Sequence, residues 1–147
     1  MRTKIDAILN SKGREVWSLS PESTVHDAIR TMADRRVQAL LVIAQDRLVG
    51  IVTERDCARQ VTLQGKPATQ VRVREIMSSP VVFVTPAHTV ADGMRIATQK
   101  GIAHLPVLAG DAVIGVVTMG DLVRSIVSEQ DTTIHHLEAY ITGTYPG

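Results

Sequence analysis

The groups best suited to chemistry occur twice along the chain. Gly50-Ile51-Val52-Thr53-Glu54-Arg55-Asp56 and Gly115-Val116-Val117-Thr118-Met119-Gly120-Asp121 both read Gly-h-h-Thr-x-x-Asp, where h is aliphatic. The aliphatic run is strand-like, and the threonine stands where a helix would begin. A helix N-terminus presents unpaired N–H groups and the positive end of the helix dipole, which suits a phosphate. The Thr53 or Thr118 hydroxyl adds a donor for a phosphate oxygen. The Asp56 or Asp121 carboxylate, one turn further on, can accept from a ribose 2′,3′-diol, and the glycine allows a tight turn or close approach of a ligand to the backbone. Phosphate and ribose together point to a nucleotide. The same spacing is also that of a capping box, in which the threonine caps the third N–H and the acid reaches back. Duplication copies caps as faithfully as binding sites, so both readings stand on the motif alone.

The two motifs close a larger internal repeat. At a shift of 65, residues 16–61 align with residues 81–126 without a gap, and 15 of the 46 paired positions are identical. Each copy predicts a short strand (Val16 to Leu19; Val81 to Val84) ended by Ser20-Pro21 or Thr85-Pro86. A helix capped by Thr24 or Thr89 follows, with Val25, Ile29, Met32 and Ala33, or Val90, Met94 and Ala97, at helical spacing. Two apolar strands around a tight turn come next, Ala39 to Ala44 with Leu48 to Thr53, and Leu105 to Ala109 with Val113 to Thr118. A second helix begins near Glu54 and near Met119, making each unit β-α-β-β-α.

Upstream, Ile5-Asp6-Ala7-Ile8-Leu9 matches Val73-Arg74-Glu75-Ile76-Met77 at a shift of 68. The first copy therefore has three extra residues in a basic loop, Asn10-Ser11-Lys12-Gly13-Arg14-Glu15, where the second has Ser78-Ser79-Pro80. These boundaries predict unit 1 over residues 5–63, a Gly- and Pro-containing linker over 64–72, and unit 2 over 73–128. A short C-terminal helix over 131–142, capped by Asp131, would place Ile134, Leu137 and Ile141 on one face.

Composition removes several classes of function. A chain of 147 residues buries roughly 68–70% of its unfolded surface and needs no staples. The single cysteine, Cys57, permits neither an internal disulfide nor a thiolate metal cluster. A net charge of +1 gives no basic field for nucleic acid, and 3% aromatic residues give no platform for stacking bases. Residues 1–74 hold 13 Lys and Arg against 8 Asp and Glu, while residues 75–147 hold 3 against 7. The two halves can attract each other, or the halves of a partner copy, or simply be solvated. The N-terminus lacks signal-peptide features, and no apolar run nears the ~20 residues of a membrane span, so a cytoplasmic protein without membrane contact is expected. No Walker-type glycine loop, HExxH or nucleophile elbow is present, which argues against an enzyme. His135 and His136 are adjacent, face different ways on a helix and have no spaced partner, so no metal is expected.

The repeated unit, its Gly-h-h-Thr-x-x-Asp closure, the Thr-Val pair opening each first helix and the Ala103-His104-Leu105-Pro106-Val107 strand resemble a tandem pair of CBS domains, of the stand-alone bacterial kind, over about residues 5 to 127. The resemblance implies a mixed α/β fold in which two units pack sheet to sheet about a pseudo-twofold axis. It implies two clefts that bind adenine nucleotides, AMP first, with ATP, ADP and NAD(H) as alternatives. In one cleft Thr53 would meet phosphate and Asp56 ribose, beside Ile51 and Arg55, with Ser79, Pro80, Val82, Ile102 and Ala103 around the base. In the other, Thr118 and Asp121 would take those roles, with His104 near the phosphate and Trp17, Val37 and Gln38 around the base. The Lys12-Gly13-Arg14 loop would overhang this second cleft, and its charges make it the better phosphate binder. The resemblance further implies a homodimer of pairs and a signal-transducing role toward a protein partner that the sequence does not identify, with no cofactor required. A pure interaction module, its Thr/Asp pairs serving only as caps, is the alternative.

Overall fold

Each copy is built around an antiparallel hairpin closed by a two-residue turn. The computed structural model describes residues 2–141 of the chain, with side chains for residues 2–130. Strands β2 (Ala39–Ala44) and β3 (Arg47–Thr53) pair from Ala39↔Thr53 to Ala44↔Arg47. Gln45 and Asp46 between them both lie at positive φ, 53° and 62°, the geometry that matches the twist of a hairpin. Strands β4 (His104–Ala109) and β5 (Ala112–Thr118) repeat this register, and in both hairpins the pairing slips at the same place, Val42/Ile43 and Val107/Leu108.

A short parallel strand, β1 (Ser18–Leu19), joins the first sheet in the order β1-β2-β3. The strand expected over Val81 to Val84 shrinks to a single parallel bridge, Val84↔Val107. The cause is Pro106. In the first copy the Leu41 N–H donates to the Trp17 carbonyl at 3.1 Å, and Pro106, which replaces Leu41 in the second, has no N–H to give.

Every hairpin is flanked by helices that start on a Thr-x-x-Asp box. In α2 (Val25–Arg35) Thr24 Oγ1 accepts from the Asp27 N–H and Asp27 accepts from the Thr24 N–H, and Thr89 with Asp92 does the same for α4 (Val90–Lys100). Both expected caps are present. The buried stripe of α2 is Val25, Ala28 and Met32, so Ile29, expected on it, stands 42% exposed and Ala33 is exposed. Helix α3 (Glu54–Gln64) ends the first copy, and α5 (Met119–Ile141) runs on as one helix. The separate helix expected from Asp131 is therefore the continuation of α5; Ser128-Glu129-Gln130 contains no residue that breaks a helix. Residue 142 and the expected apolar face of Ile134, Leu137 and Ile141 lie outside the described residues and side chains.

The leading segments are exchanged between the copies. Helix α1 (Ile5–Lys12) buries Ile5, Ile8 and Leu9 in the core of the second copy, against Val90, Val107, Val117 and Leu122. Its sequence counterpart, with Val73–Glu75 forming only a 3-10 turn, buries Val71, Val73 and Ile76 in the core of the first, against Val25, Met32, Val42 and Val52. Two glycines make the exchange possible. A Cβ on Gly50 would lie 2.5 Å from Met77 Sδ, and one on Gly115 would lie 2.7 Å from Leu9 Cδ2. Both glycines sit inside a strand and neither has a positive φ, so in place of the expected tight turn the glycine of each motif admits an apolar side chain of the exchanged segment.

Among the described residues no helix is long and apolar enough to cross a membrane.

Candidate functional site

Between the two sheets lies a cleft of about 370 Å³. One wall comes from the first copy: Trp17, Arg36, Val37, Gln38, Ala39, Leu41 and Ile51. The other comes from the second copy with His104, Val116 and Thr118, and the connection from α1 to β1 adds Lys12, Gly13 and Glu15. The expected second-cleft residues Lys12, Gly13, Trp17, Val37, Gln38, His104 and Thr118 are brought together here. Two cationic side chains, Lys12 and Arg36, face one acid, Glu15, with the His104 imidazole beside them, so the field in the cleft favours an anion.

Asp121 is close by but turned away. Its Oδ2 accepts from the Thr118 N–H at 2.8 Å and from Lys12 Nζ at 2.6 Å, and its Oδ1 accepts from Arg124 at 2.6 Å. The Asp121 side chain is 7% exposed and lines a second groove, of about 580 Å³, between α1 and α5. Lys12 lines both spaces, so its bond to Asp121 forms the partition between them. Burial by itself would push Asp121 up, but the hydrogen bonds from Lys12 and from Thr118 outweigh it and hold the group below the usual carboxylate range. His104 is shifted down, first by burial and then by the Lys12 ammonium, against a smaller pull from Asp121. Its neutral form is therefore favoured.

The loop before β1 is shorter than its sequence suggests. Helix α1 continues through Lys12 and stops at Gly13, φ 106°, whose N–H bonds the Leu9 carbonyl at 2.8 Å. Arg14 does not overhang the cleft; it folds back on α1, 2.9 Å from Asp6 and 2.6 Å from Asn10. The amide one turn earlier and the acid two turns earlier offer nearer partners than the cleft does. Lys12, at the end of the helix, reaches the cleft and bonds the Val116 carbonyl at 3.0 Å.

On the other side of the seam the arrangement differs. Ile51, expected beside Thr53, lines the Thr118 cleft instead, and its backbone, the counterpart of Val116, pairs with that of Ser78, with N–H to O distances of 3.1 and 2.9 Å in the two directions. Where Ser78 supplies backbone to Ile51, the longer first copy supplies only the Lys12 side chain to Val116. Thr53 and Asp56 form a capping box at 3.1 and 3.1 Å, and Arg55 is exposed. Val82 and Ile102 pack against the second core, and the Ala103 carbonyl accepts from the Met119 N–H at 2.8 Å. Ser79 and Pro80 follow directly on the Ser78 bridge to Ile51, and among the described residues no hydrogen bond joins these base-side residues to Thr53 or Asp56.

Glu15, Arg36, Ala39, Leu41 and Val116 line the cleft without having been legible as site residues in the sequence. Arg36 had a signal. It occupies the left-handed C-cap of α2 at φ 56°, ψ 43°, where the second copy has Gly101 at φ 65°, ψ 38°. A side chain in that conformation costs about 1–2 kcal/mol relative to glycine. Trp17, expected around the base, lines the cleft and also carries the Arg35 guanidinium, 4.2 Å from its ring centre. Among the described residues no cluster of three His, Cys, Asp or Glu side chains is placed to hold a metal, and His135 and His136 lie outside the described side chains.

The family model for the CBS domain matches the chain twice, over residues 12–62 and 73–128. The mitochondrial CBS domain-containing protein CBSX3 of Arabidopsis thaliana is 35% identical over 153 residues, 97% of this chain and 74% of that protein. A CBS-domain protein from Burkholderia ambifaria MC40-6 has a similar structure, with a TM-score of 0.84 at 40% identity, covering 87% of this chain and 96% of that one. The CBS domain pair of protein MJ0100, in complex with 5′-methylthioadenosine and S-adenosyl-L-methionine, shares the fold with a TM-score of 0.77 at 21% identity, covering 88% of this chain and 99% of that one.

Proposed function

The chain belongs to the CBS-domain family as a tandem pair, and from that premise we propose that it is a regulatory module that binds an adenine nucleotide, AMP first, in the cleft between Trp17 and Thr118. The observation that carries this reading is the cleft itself: a space of about 370 Å³ with Lys12, Arg36 and His104 on its walls and Thr118 at a helix start. That volume lies in the ordinary range for small-ligand sites, roughly 300–1,000 Å³. The Thr118 hydroxyl, the Lys12 ammonium and the start of α5 receive phosphate, and Val37, Leu41 and Trp17 offer apolar surface to a base. Asp121 joins by accepting from the ribose diol once Lys12 turns to the phosphate. ATP, ADP and NAD(H) are the alternative ligands. The adenosine derivatives held by the MJ0100 pair are chemically akin to this set.

The Thr53 side is the weaker of the two expected sites, because Ser78 backbone already occupies the strand edge that Lys12 reaches on the other side. The module acts by a shift in how its two units or two copies pack, read by a protein partner in the cytoplasm, and works as a homodimer without catalysis. Thermal unfolding with AMP, ADP, ATP, NAD(H) and S-adenosylmethionine tests the reading. A ligand at ~100 times its dissociation constant adds ~2.7 kcal/mol, and unchanged curves with all five overturn it.

One observation favours an interaction module without nucleotide. The four Thr-x-x-Asp pairs that open α2, α3, α4 and α5 are all closed capping boxes, including Thr24/Asp27 and Thr89/Asp92, which no ligand reading uses. Under that reading Asp121→Ala lowers stability by the same amount with and without AMP.

A further inference from the structure

Arg36 holds a backbone conformation that its twin position assigns to glycine. Helices α2 and α4 have the same length and end alike, yet one left-handed cap is Arg36 and the other Gly101. A residue kept at such a cost is one whose side chain is needed elsewhere. Arg36 lines the cleft, and its exposed side chain has no hydrogen bond or ion pair with another described residue. Arg14, Arg95 and Arg124 all close on carboxylates, and Arg35, next to it, stacks on Trp17. Lys12, on the facing wall, already spends its ammonium on Asp121 and the Val116 carbonyl.

We infer that Arg36 is a ligand-contacting residue of this cleft and that it reads the negative charge of the bound nucleotide. The inference rests on the nucleotide reading above. Arginine is well suited to this role, because its planar fork presents five donors to phosphate oxygens and stays charged at every physiological pH. Its place on the first unit, facing Lys12 and Thr118 of the opposite wall, lets one phosphorylated ligand tie the two units together.

Two variants, Arg36→Gly and Arg36→Gln, separate this role from a structural one. Glycine relieves the backbone, so Arg36→Gly unfolds about 3 °C higher than the parent without ligand, and binds AMP about tenfold more weakly by calorimetry. Arg36→Gln keeps the backbone cost and the parent's melting temperature, with the same weakening of AMP. Both bind adenosine, which carries no phosphate, within twofold of the parent. AMP binding that survives either substitution overturns the role of Arg36 while leaving the nucleotide reading intact, and so does an equal loss of AMP and adenosine. A parent protein that binds neither AMP nor adenosine overturns both.

Discussion

Lys12 Nζ sits 2.6 Å from Asp121 Oδ2, so the last residue of the exchanged first helix closes on the cap of the last helix, 109 positions further along the chain. Lys12 stays 37% exposed while Asp121 is 7% exposed, which makes the lysine the partner able to leave. Lys12→Met is expected to move two affinities in opposite directions. AMP weakens by tenfold or more, for the loss of a charge-assisted contact of about 1.5–3 kcal/mol. Adenosine tightens, because the Asp121 oxygen is released to the ribose diol. Calorimetric titration of both ligands checks the crossing, and parallel losses contradict it.

Gly115 exists to admit Leu9. Gly115→Ala places its Cβ 2.7 Å from Leu9 Cδ2, in a core where both are fixed, and costs about 1–3 kcal/mol. Gly50→Ala meets the flexible end of Met77 at 2.5 Å and costs less. The double variant Leu9→Ala/Gly115→Ala is less destabilised than the sum of its singles, by about 0.5–3 kcal/mol. Urea unfolding measures all four; strict additivity shows that the two residues do not share space.

Thr24, Thr53, Thr89 and Thr118 each cap a helix through the same pair of hydrogen bonds. Replacing any of them by Ala lowers stability by about 1 kcal/mol. Only Thr118→Ala also weakens AMP, because Thr118 alone of the four lines the cleft. A thermal-shift series with and without AMP distinguishes the four, and an equal response to AMP in all of them removes the ligand role of the motif.

Two acid-side dependences follow from groups whose proton affinity drops on folding. The Thr89 N–H, the Arg95 guanidinium and the Thr89 hydroxyl hold Asp92 at about 2, against 3.8 in a free chain. Its contribution is present above about pH 4 and is lost as pH falls toward 2. Asp92→Asn flattens that part of the profile. His104 lies below its free value of 6.5, chiefly through burial, so the unfolded chain takes up a proton first and stability declines as pH falls below 6.5. His104→Gln removes this decline; urea midpoints between pH 2 and 7 measure both.

What was legible in the sequence is what spacing alone determines. The β-α-β-β-α order of the first copy, both hairpins and the Thr24 and Thr89 caps depend on residues close together in the chain. The exchange of leading segments was not legible. Similarity between Ile5–Leu9 and Val73–Met77 shows that they are equivalent, not which core each enters, and Gly50 and Gly115 name their partners only in three dimensions. Arg14 and Arg36 exchanged importance for a local reason. Arg14 lies close to Asp6 and Asn10 on the same helix and binds them, whereas Arg36 ends a helix and pairs with no acid among the described residues. Pro106 in place of Leu41 announced the lost strand before Thr85, a signal visible once the donor it removes is counted.

A crystal structure of the protein grown with saturating AMP tests the central claim most directly. The predicted result is a nucleotide between the Val37 wall and His104, its phosphate beside Thr118, with Lys12 Nζ drawn off Asp121 and the diol in its place. A nucleotide held only in the groove between α1 and α5, or only beside Thr53, contradicts the account, as does an empty cleft with the Lys12–Asp121 pair intact.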